Sequence, residues 1–135
     1  MKGIIIGEPW ISKILSGEKT WEMRGTRALY RGPLALIRKG SGQVVGVAAL
    51  VDTTGELDDD QLRRTFQFHR VPLDHFDQEG RRKWRHAWIL EGARQLRNPV
   101  PYHHPSGAVV WVRLTPDVVA QVSSQADGIA GVAGS

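Results

Sequence analysis

Short apolar runs separated by glycine- or proline-containing turns dominate the first half of the chain. Runs of about four to eight residues bounded by such turns are typical of β-strands. The pattern predicts strands at residues 2–6, 20–24, 34–38 and 44–51. The last of these is almost entirely apolar, which favours burial on both faces or closure of a barrel. A glycine-rich connection of hairpin length joins the last two.

Helical spacing of apolar positions appears at residues 10–16, between Pro9, where a helix can begin, and Gly17, which can end it. A second helix is predicted at residues 58–68, because its acidic residues cluster at the start, where the helix dipole favours them. A third, short helix is predicted at residues 116–122.

The second half of the chain is less regular. Residues 71–82 are polar and irregular, and residues 84–94 fit either a helix or a strand, with alternation favouring the strand. Three prolines and two histidines predict an extended loop at residues 98–105, and residues 108–114 predict a last strand. Five or six short strands with two or three short helices predict a barrel-like α+β domain.

Composition narrows the class of protein. The 135 residues suffice for one domain, which we place at residues 1–114, with a short helix and a flexible C-terminal tail at 115–135. The absence of cysteine excludes disulfides, thiolate nucleophiles and cysteine-based zinc sites. Neither a signal peptide nor a membrane-spanning run is evident, so a soluble, cytoplasmic protein without a membrane partner is expected.

Positive charge is unevenly distributed. Residues 1–50 carry eight Lys or Arg against three acids, residues 51–60 carry five acids and no base, and residues 61–100 carry nine bases against four acids. Two basic segments separated by an acidic one indicate a positive face that attracts phosphate, although ordinary solvated charge explains a net charge of +4 equally well.

Residues 8–25 are the most informative segment. A Pro-Trp dipeptide at positions 9–10 precedes the pattern Gly-x-Lys-x-x-Glu-x-Arg, in which the charged residues are Lys19, Glu22 and Arg24. The segment resembles the signature of ASCH domains, and the resemblance extends over residues 3–114 through the Gly-Pro-Leu, Val-Gly-Val, Ala-Trp-Ile-Leu-Glu and Pro-Val-Pro-Tyr stretches. It implies a small PUA-like β-barrel of five to six strands, with a cleft that binds RNA, DNA or a nucleotide-like ligand.

The chemistry of the motif allows more than one role. In a strand, Glu22 and Arg24 share a face and can pair, either as a structural ion pair or so that the carboxylate orients an arginine that grips a ligand. Lys19 is either a phosphate contact or, if desolvated beside Arg24, an amine of lowered pKa that acts as a nucleophile.

One bacterial branch of the family hydrolyses acetylated cytidine with a lysine at this motif position and a threonine three residues later. Here Lys19 matches the lysine, but Glu22 occupies the later position and the nearest hydroxyl is that of Thr20. In that branch a glutamate elsewhere in the chain acts as the base, and Glu56 and Glu91 are the candidates for this role here. The resemblance therefore implies an amidohydrolase on N4-acylated cytidine as an alternative, with Lys19, Thr20 and Glu22 as its catalytic residues.

Further binding residues are predicted outside the motif. Trp10, at the helix start, is a candidate stacking platform for a base. A basic run interleaved with tryptophan is a candidate phosphate-binding patch, formed by Arg81, Arg82, Lys83 and Arg85.

The histidines show no metal-ligand spacing, so neither a metal nor a cofactor is predicted. His103 or His104 paired with Lys19 would suit a ribonuclease, which is a further alternative. The expected partner is single-stranded RNA or a modified nucleoside, and an acidic protein is the alternative occupant of the basic face.

Overall fold

The structure is a computed structural model that describes residues 1–80 and 83–126. The described residues form six strands: Lys2–Ile6 (β1), Trp21–Arg24 (β2), Gly32–Arg38 (β3), Gln43–Thr53 (β4), His86–Pro101 (β5) and Trp111–Arg113 (β6). They also form four helices and one 3₁₀ helix: Trp10–Leu15 (α1), Asp59–Arg64 (α2), Phe66–His69 (α3), Pro116–Gln125 (α4) and the 3₁₀ helix Leu73–Asp77.

The strands of the described part of the chain make one sheet in the order β2-β5-β4-β3-β1-β6. The β1–β3 pair is parallel, and the other neighbouring pairs are antiparallel. Register shifts along β3–β4 and β4–β5 mark bulges, which increase twist and bend strands. The sheet curls into a half-barrel, and the predicted α+β barrel-like class is confirmed.

Both faces of the central strands are buried, as the apolar run at residues 44–51 predicts. Val44 and Val47 pack with α4 on one face, whereas Val45 and Ala48 pack with α1 on the other. A third apolar cluster, which includes Met23 and Phe76, joins β2 to α2 and the 3₁₀ helix. The short edge strand β2 is thus held between the sheet and the helices, and this is where the motif lies.

Several predicted elements differ from the structure in extent or number. The last strand, predicted at residues 108–114, spans only Trp111–Arg113, and the helix predicted at residues 116–122 continues to Gln125. The loop predicted at residues 98–105 begins later, because β5 continues to Pro101 and pairs with β4 there. Its prolines are tolerated since β2 pairs only with residues 86–89, so that no strand of the described residues pairs with that side of β5 further along. The helix predicted at 58–68 is two helices, divided at Thr65. Most of the predicted flexible tail falls on residues 127–135, outside the described residues.

Candidate functional site

The motif occupies the connection between α1 and β2. After α1 ends at Leu15, Gly17 adopts a left-handed φ of +84°, which favours glycine. The backbone N–H of Gly17 donates to the carbonyl of Ile14 at 3.0 Å, and the N–H of Lys19 donates to the carbonyl of Lys13 at 3.0 Å. This return of the chain fixes Lys19 against the end of the helix, two residues before β2.

The ammonium group of Lys19 is buried within polar and aromatic contacts. The residue is 1% exposed. Its Nζ donates to the carbonyl oxygen of His69 at 2.6 Å and lies 3.8 Å from Oε1 of Glu22. It also lies 5.2 Å from the ring centroid of Trp10, within cation–π range. The predicted stacking face of Trp10 is therefore engaged by the lysine.

Burial lowers the pKa of Lys19 from 10.5 to about 8, because desolvation penalises the charged amine. Glu22 opposes this by attraction and raises the pKa, while the charge of Arg24 lowers it. With a pKa of about 8, about a tenth of the amine is neutral at pH 7. The side chain is thus mainly a cation, and its minor neutral form is the nucleophilic one.

Glu22 and Arg24 form the ion pair that strand alternation predicts. Oε2 of Glu22 accepts hydrogen bonds from Nε of Arg24 at 3.1 Å and from Nη2 at 2.9 Å. Nη2 also donates to the carbonyl of Ile5 at 2.8 Å, which ties β2 to β1. The guanidinium lies 5.5 Å from the ring centroid of Trp88. No hydrogen bond to a described residue uses Nη1, which leaves that nitrogen for a ligand.

Lys19 and Glu22 border a small cavity of about 20 Å³, room for about one water molecule. Its other walls are largely apolar and aromatic: Trp10, Met23, Val71, His75, Phe76 and Trp84. In this form the cavity admits no nucleoside. Contact between Lys19 and a base requires a wall to move.

Thr20 does not join Lys19 at this cavity. It is absent from the described residues that line the space. Its backbone is held by neighbours on both sides, since its N–H donates to Phe68 at 2.9 Å and its carbonyl accepts from Leu90 at 2.8 Å. The Lys19–Thr20 pair that the amidohydrolase alternative uses is therefore not assembled, whereas the Lys19–Glu22 pair is.

A larger open cleft of about 570 Å³ begins at Arg24. Its described lining contains four cationic and four aromatic side chains and no acidic one. These residues are Lys2, Arg24, Arg27, Lys83, Tyr30, Trp84, Trp88 and Trp111.

The aromatic wall of this cleft is ordered by stacking and by a cation. The rings of Trp88 and Trp111 stack with centroids 5.2 Å apart. Nζ of Lys2 lies 5.3 Å from the ring of Trp111 and 5.4 Å from that of Tyr30. The cleft therefore combines flat apolar surfaces with positive charge at its rim.

The predicted basic patch divides between two surfaces. Lys83 lines the cleft, where its side chain lies near Gly25. Arg85 instead forms a 2.8 Å ion pair with Asp59 at the start of α2. Arg81 and Arg82 lie outside the described residues. Of the described members, only Lys83 belongs to the cleft.

The histidines predicted for the ribonuclease and the glutamates predicted as the amidohydrolase base lie away from Lys19. Neither His103 nor His104 lines the cavity or the cleft among the described residues, whereas His75 lines the cavity that holds Lys19. Glu56 and Glu91, the candidate bases, are exposed and absent from both linings.

Sequence reasoning missed His69, whose isolated position gives no signal. Its ring is buried, Nδ1 accepts from the N–H of Val71 at 2.9 Å, and Nε2 therefore donates to the carbonyl of Leu62 at 2.7 Å. Both ring nitrogens are thus engaged in the neutral form. The ring fixes the segment whose carbonyl binds Lys19.

It also missed most of the cleft. Lys2, Arg27, Tyr30 and Trp111 come from three separate parts of the chain, which only the fold brings together. Trp111 lies in the predicted last strand, and its ring also lines the cleft.

Comparison with known proteins supports one family. The model of the ASCH domain matches residues 4–100. The solved structure of ASCH from Zymomonas mobilis aligns with a TM-score of 0.69 at 16% identity, covering 91% of this chain and 93% of that one. A tyrosine-to-phenylalanine mutant of the Zymomonas mobilis protein aligns with a TM-score of 0.67 at 18% identity, covering 91% and 96%. No curated protein matches this chain in sequence.

The described residues offer neither a metal-ligand cluster nor a membrane-spanning helix. Within residues 1–80 and 83–126, no three His, Asp or Glu side chains cluster as metal ligands would. Among the helices of the same residues, none is long and apolar enough to span a bilayer.

Proposed function

The chain belongs to the ASCH domain family, and from that premise we propose that it binds single-stranded RNA or a similar nucleotide ligand in the cleft beside Arg24. The observation that carries the proposal is the lining of this cleft, whose described residues include four cations and four aromatic rings and no acid. Phosphate binding needs the cations, and sequence-tolerant base binding needs the rings.

The phosphate-binding part of the proposal rests on where the charges lie. Lys2, Arg27 and Lys83 are exposed at the cleft, and none forms an ion pair with a described acid. Arg24 is oriented by Glu22 and retains Nη1. A fixed guanidinium backed by a carboxylate is suited to one phosphate or one base edge.

The base-binding part rests on the tryptophans. Trp111 is partly exposed and is supported from behind by the stacked ring of Trp88, whose Nε1–H donates to the carbonyl of Thr26 at 2.8 Å. A ring that is fixed before binding loses little entropy when a base stacks on it. Stacking of this kind is worth about 1–3 kcal/mol per base.

A fluorescence anisotropy titration with a labelled ten-nucleotide single-stranded RNA tests the proposal. We expect saturable binding that Lys2→Glu weakens by about tenfold, since a repulsive charge replaces a phosphate contact. Lys39→Glu is the matched control, because Lys39 is exposed and lines a different cavity. Absence of binding at low salt, or equal losses in both variants, contradicts the proposal.

The same titration separates the other partners. A gel of the RNA after incubation, with and without Mg²⁺, detects ribonuclease activity. Poly-glutamate added as a competitor reports on an acidic protein partner. Displacement of the RNA by an equal charge concentration of poly-glutamate argues for general anion binding instead of nucleic-acid recognition.

The second candidate is an amidohydrolase acting on N4-acylated cytidine, and the observation that favours it is the buried amine of Lys19 with a pKa of about 8. Attack of the neutral amine on the acyl carbonyl forms an N–C bond to Lys19 and breaks the bond from the acyl carbon to the exocyclic nitrogen of cytidine, which takes up the proton that the amine loses. Water then hydrolyses the acyl-lysine, which releases the acid and restores the amine. Chromatography of N4-acetylcytidine after incubation tests it. Deacetylation by the wild type that persists in Lys19→Ala excludes the lysine mechanism.

A further inference from the structure

Leu29 is the most exposed large apolar side chain of the described residues, at 98%. It lies in the connection between β2 and β3 and lines the cleft. A single exposed leucine is ordinary on a protein surface. Its significance here depends on how firmly the surrounding loop is held and on which charges flank it.

Hydrogen bonds and burial hold the backbone on both sides of Leu29. Nε1–H of Trp88 donates to the carbonyl of Thr26 at 2.8 Å. Ala28 is only 4% exposed and belongs to the core. Nη1 of Arg31 donates to the carbonyl of Ala28 at 2.8 Å. The leucine is therefore presented to solvent by a fixed loop, so its exposure is a property of the fold.

Positive charge flanks this apolar tip along the chain, at Arg27 and Arg31. Arg27 is exposed and lines the cleft, and among the described residues it makes no ion pair. Nη2 of Arg31 lies 3.7 Å from Oδ1 of Asp52, but both side chains are exposed, so the pair is weak. An apolar tip between two arginines is complementary to a base with a phosphate on each side.

Resting on the proposed function, we infer that Leu29 is a second base-contacting position, against which the base next to the one in the cleft packs. Apolar side chains inserted beside bases are a recurrent device in nucleic-acid binding. Arg27, between Arg24 and Leu29 along the chain, binds the phosphate that joins the two nucleotides. The ligand is therefore a single-stranded oligonucleotide and not a free nucleoside.

The test compares one nucleotide with many. The wild type, Leu29→Ser and Leu29→Phe are titrated with cytidine monophosphate and with a ten-nucleotide oligocytidine. We expect Leu29→Ser to weaken oligonucleotide binding by about tenfold, from the lost burial of a leucine side chain, and to leave monophosphate binding unchanged. Leu29→Phe should bind the oligonucleotide as tightly as the wild type or more tightly, because an aromatic ring stacks on a base.

Val109→Ser is the matched control, because Val109 is 77% exposed and lines a different cavity. Unchanged oligonucleotide affinity in Leu29→Ser overturns the inference, and so does an equal loss for both ligands, which would place Leu29 at the first nucleotide. Failure of the wild type to bind either ligand overturns the proposed function itself. A Leu29-dependent association with phosphatidylserine vesicles, without an effect on oligonucleotide, assigns the tip to a membrane surface and also overturns the inference.

Discussion

At the scale of single residues, the charge of the site depends on the protonation state of Lys19, on which two effects act in opposite directions. Burial favours the neutral amine, whereas the carboxylate of Glu22 at 3.8 Å favours the ammonium. The carbonyl of His69 accepts from the amine in either form. The balance leaves a cation that is readily deprotonated: burial is the largest cause of the lowered pKa, and Glu22 is the main group that opposes it.

Glu22→Gln is therefore expected to lower the pKa of Lys19 below its value of about 8, because it removes the attraction and leaves the repulsion from Arg24. NMR of the lysine Cε and Nζ resonances against pH measures this directly. Glu18→Gln is the matched control, since Glu18 is exposed and pairs with Lys13. A raised or unchanged pKa in Glu22→Gln would contradict the electrostatic account.

His69 makes stability depend on pH. Burial, as the largest cause, lowers the pKa of His69 below 6.5, so the unfolded chain takes up a proton at a pH where the folded protein does not. The contribution of the neutral His69 ring to the free energy of unfolding is therefore fully present above about pH 6.5. It is lost as the pH falls from there through the folded pKa.

We expect the free energy of unfolding, measured by urea denaturation between about pH 7.5 and 5.5, to decrease toward the acid end in the wild type. His69→Gln keeps one donor and one acceptor but cannot titrate, so its profile should be flatter. His103→Gln, at an exposed position, should retain the wild-type slope. A wild-type slope in His69→Gln would assign the pH dependence to other groups.

The residue scale also shows what the sequence predicts well. Glu22 and Arg24 pair because side chains two apart in a strand share a face, and this requires no knowledge of the fold. The burial of Lys19 was beyond such reasoning, since it depends on a carbonyl 50 positions further along the chain. Thr20 was assigned a catalytic role through its adjacency to Lys19, but adjacency in sequence did not bring it to the cavity.

At the scale of elements, α1 lies against the sheet because β4 carries no side chain at one position. A Cβ built on Gly46 would lie 2.3 Å from Cδ2 of Leu15 and 2.8 Å from the carbonyl oxygen of Arg94. The first contact involves a flexible side chain, but the second involves the backbone of the neighbouring strand. An added methyl group at Gly46 therefore pushes β4 away from both α1 and β5.

Gly46→Ala should lower the free energy of unfolding by about 1–3 kcal/mol, the usual cost of overpacking, and reduce the melting temperature by several degrees. Gly7→Ala is the matched control, because the nearest atom to its Cβ would be the side chain of Lys39 at an ordinary 3.7 Å. Equal melting temperatures for the wild type and Gly46→Ala would show that α1 moves without cost.

Strands were easier to predict than their ends. The apolar runs of β1 and β4 mark themselves, since burial on both faces excludes polar residues. The predicted end of β5 was wrong because proline was taken to break a strand, whereas proline is tolerated where a strand has no partner on one side. Which face of a strand meets which helix depends on the order of the sheet, and short apolar runs do not specify that order.

At the scale of the whole molecule, the cleft exists because the fold gathers distant segments. Lys2 begins β1, Arg27 lies in the connection after β2, and Lys83 precedes β5. The sheet order places β1 and β2 far apart along the sheet, yet the curl allows Arg24 to reach the carbonyl of Ile5. The positive face anticipated from charge distribution is therefore real at the cleft, but its members were not separable from ordinary surface charge in the sequence.

This gathering of charge predicts how RNA affinity depends on salt. Four cations of the described residues line the cleft, with Arg24 partly neutralised by Glu22. Each phosphate contact to a single strand contributes about −0.7 to the slope of log K against log salt concentration. We therefore expect a slope of about −2 to −3.

Arg27→Gln should make the slope shallower by about 0.7, because one contact is lost. Arg97→Gln, in a separate cavity at the end of β5, should leave it unchanged. A slope that is shallower by the same amount in both variants would mean that the RNA spreads over the basic surface beyond the cleft, and a slope near zero would mean that stacking alone holds the ligand.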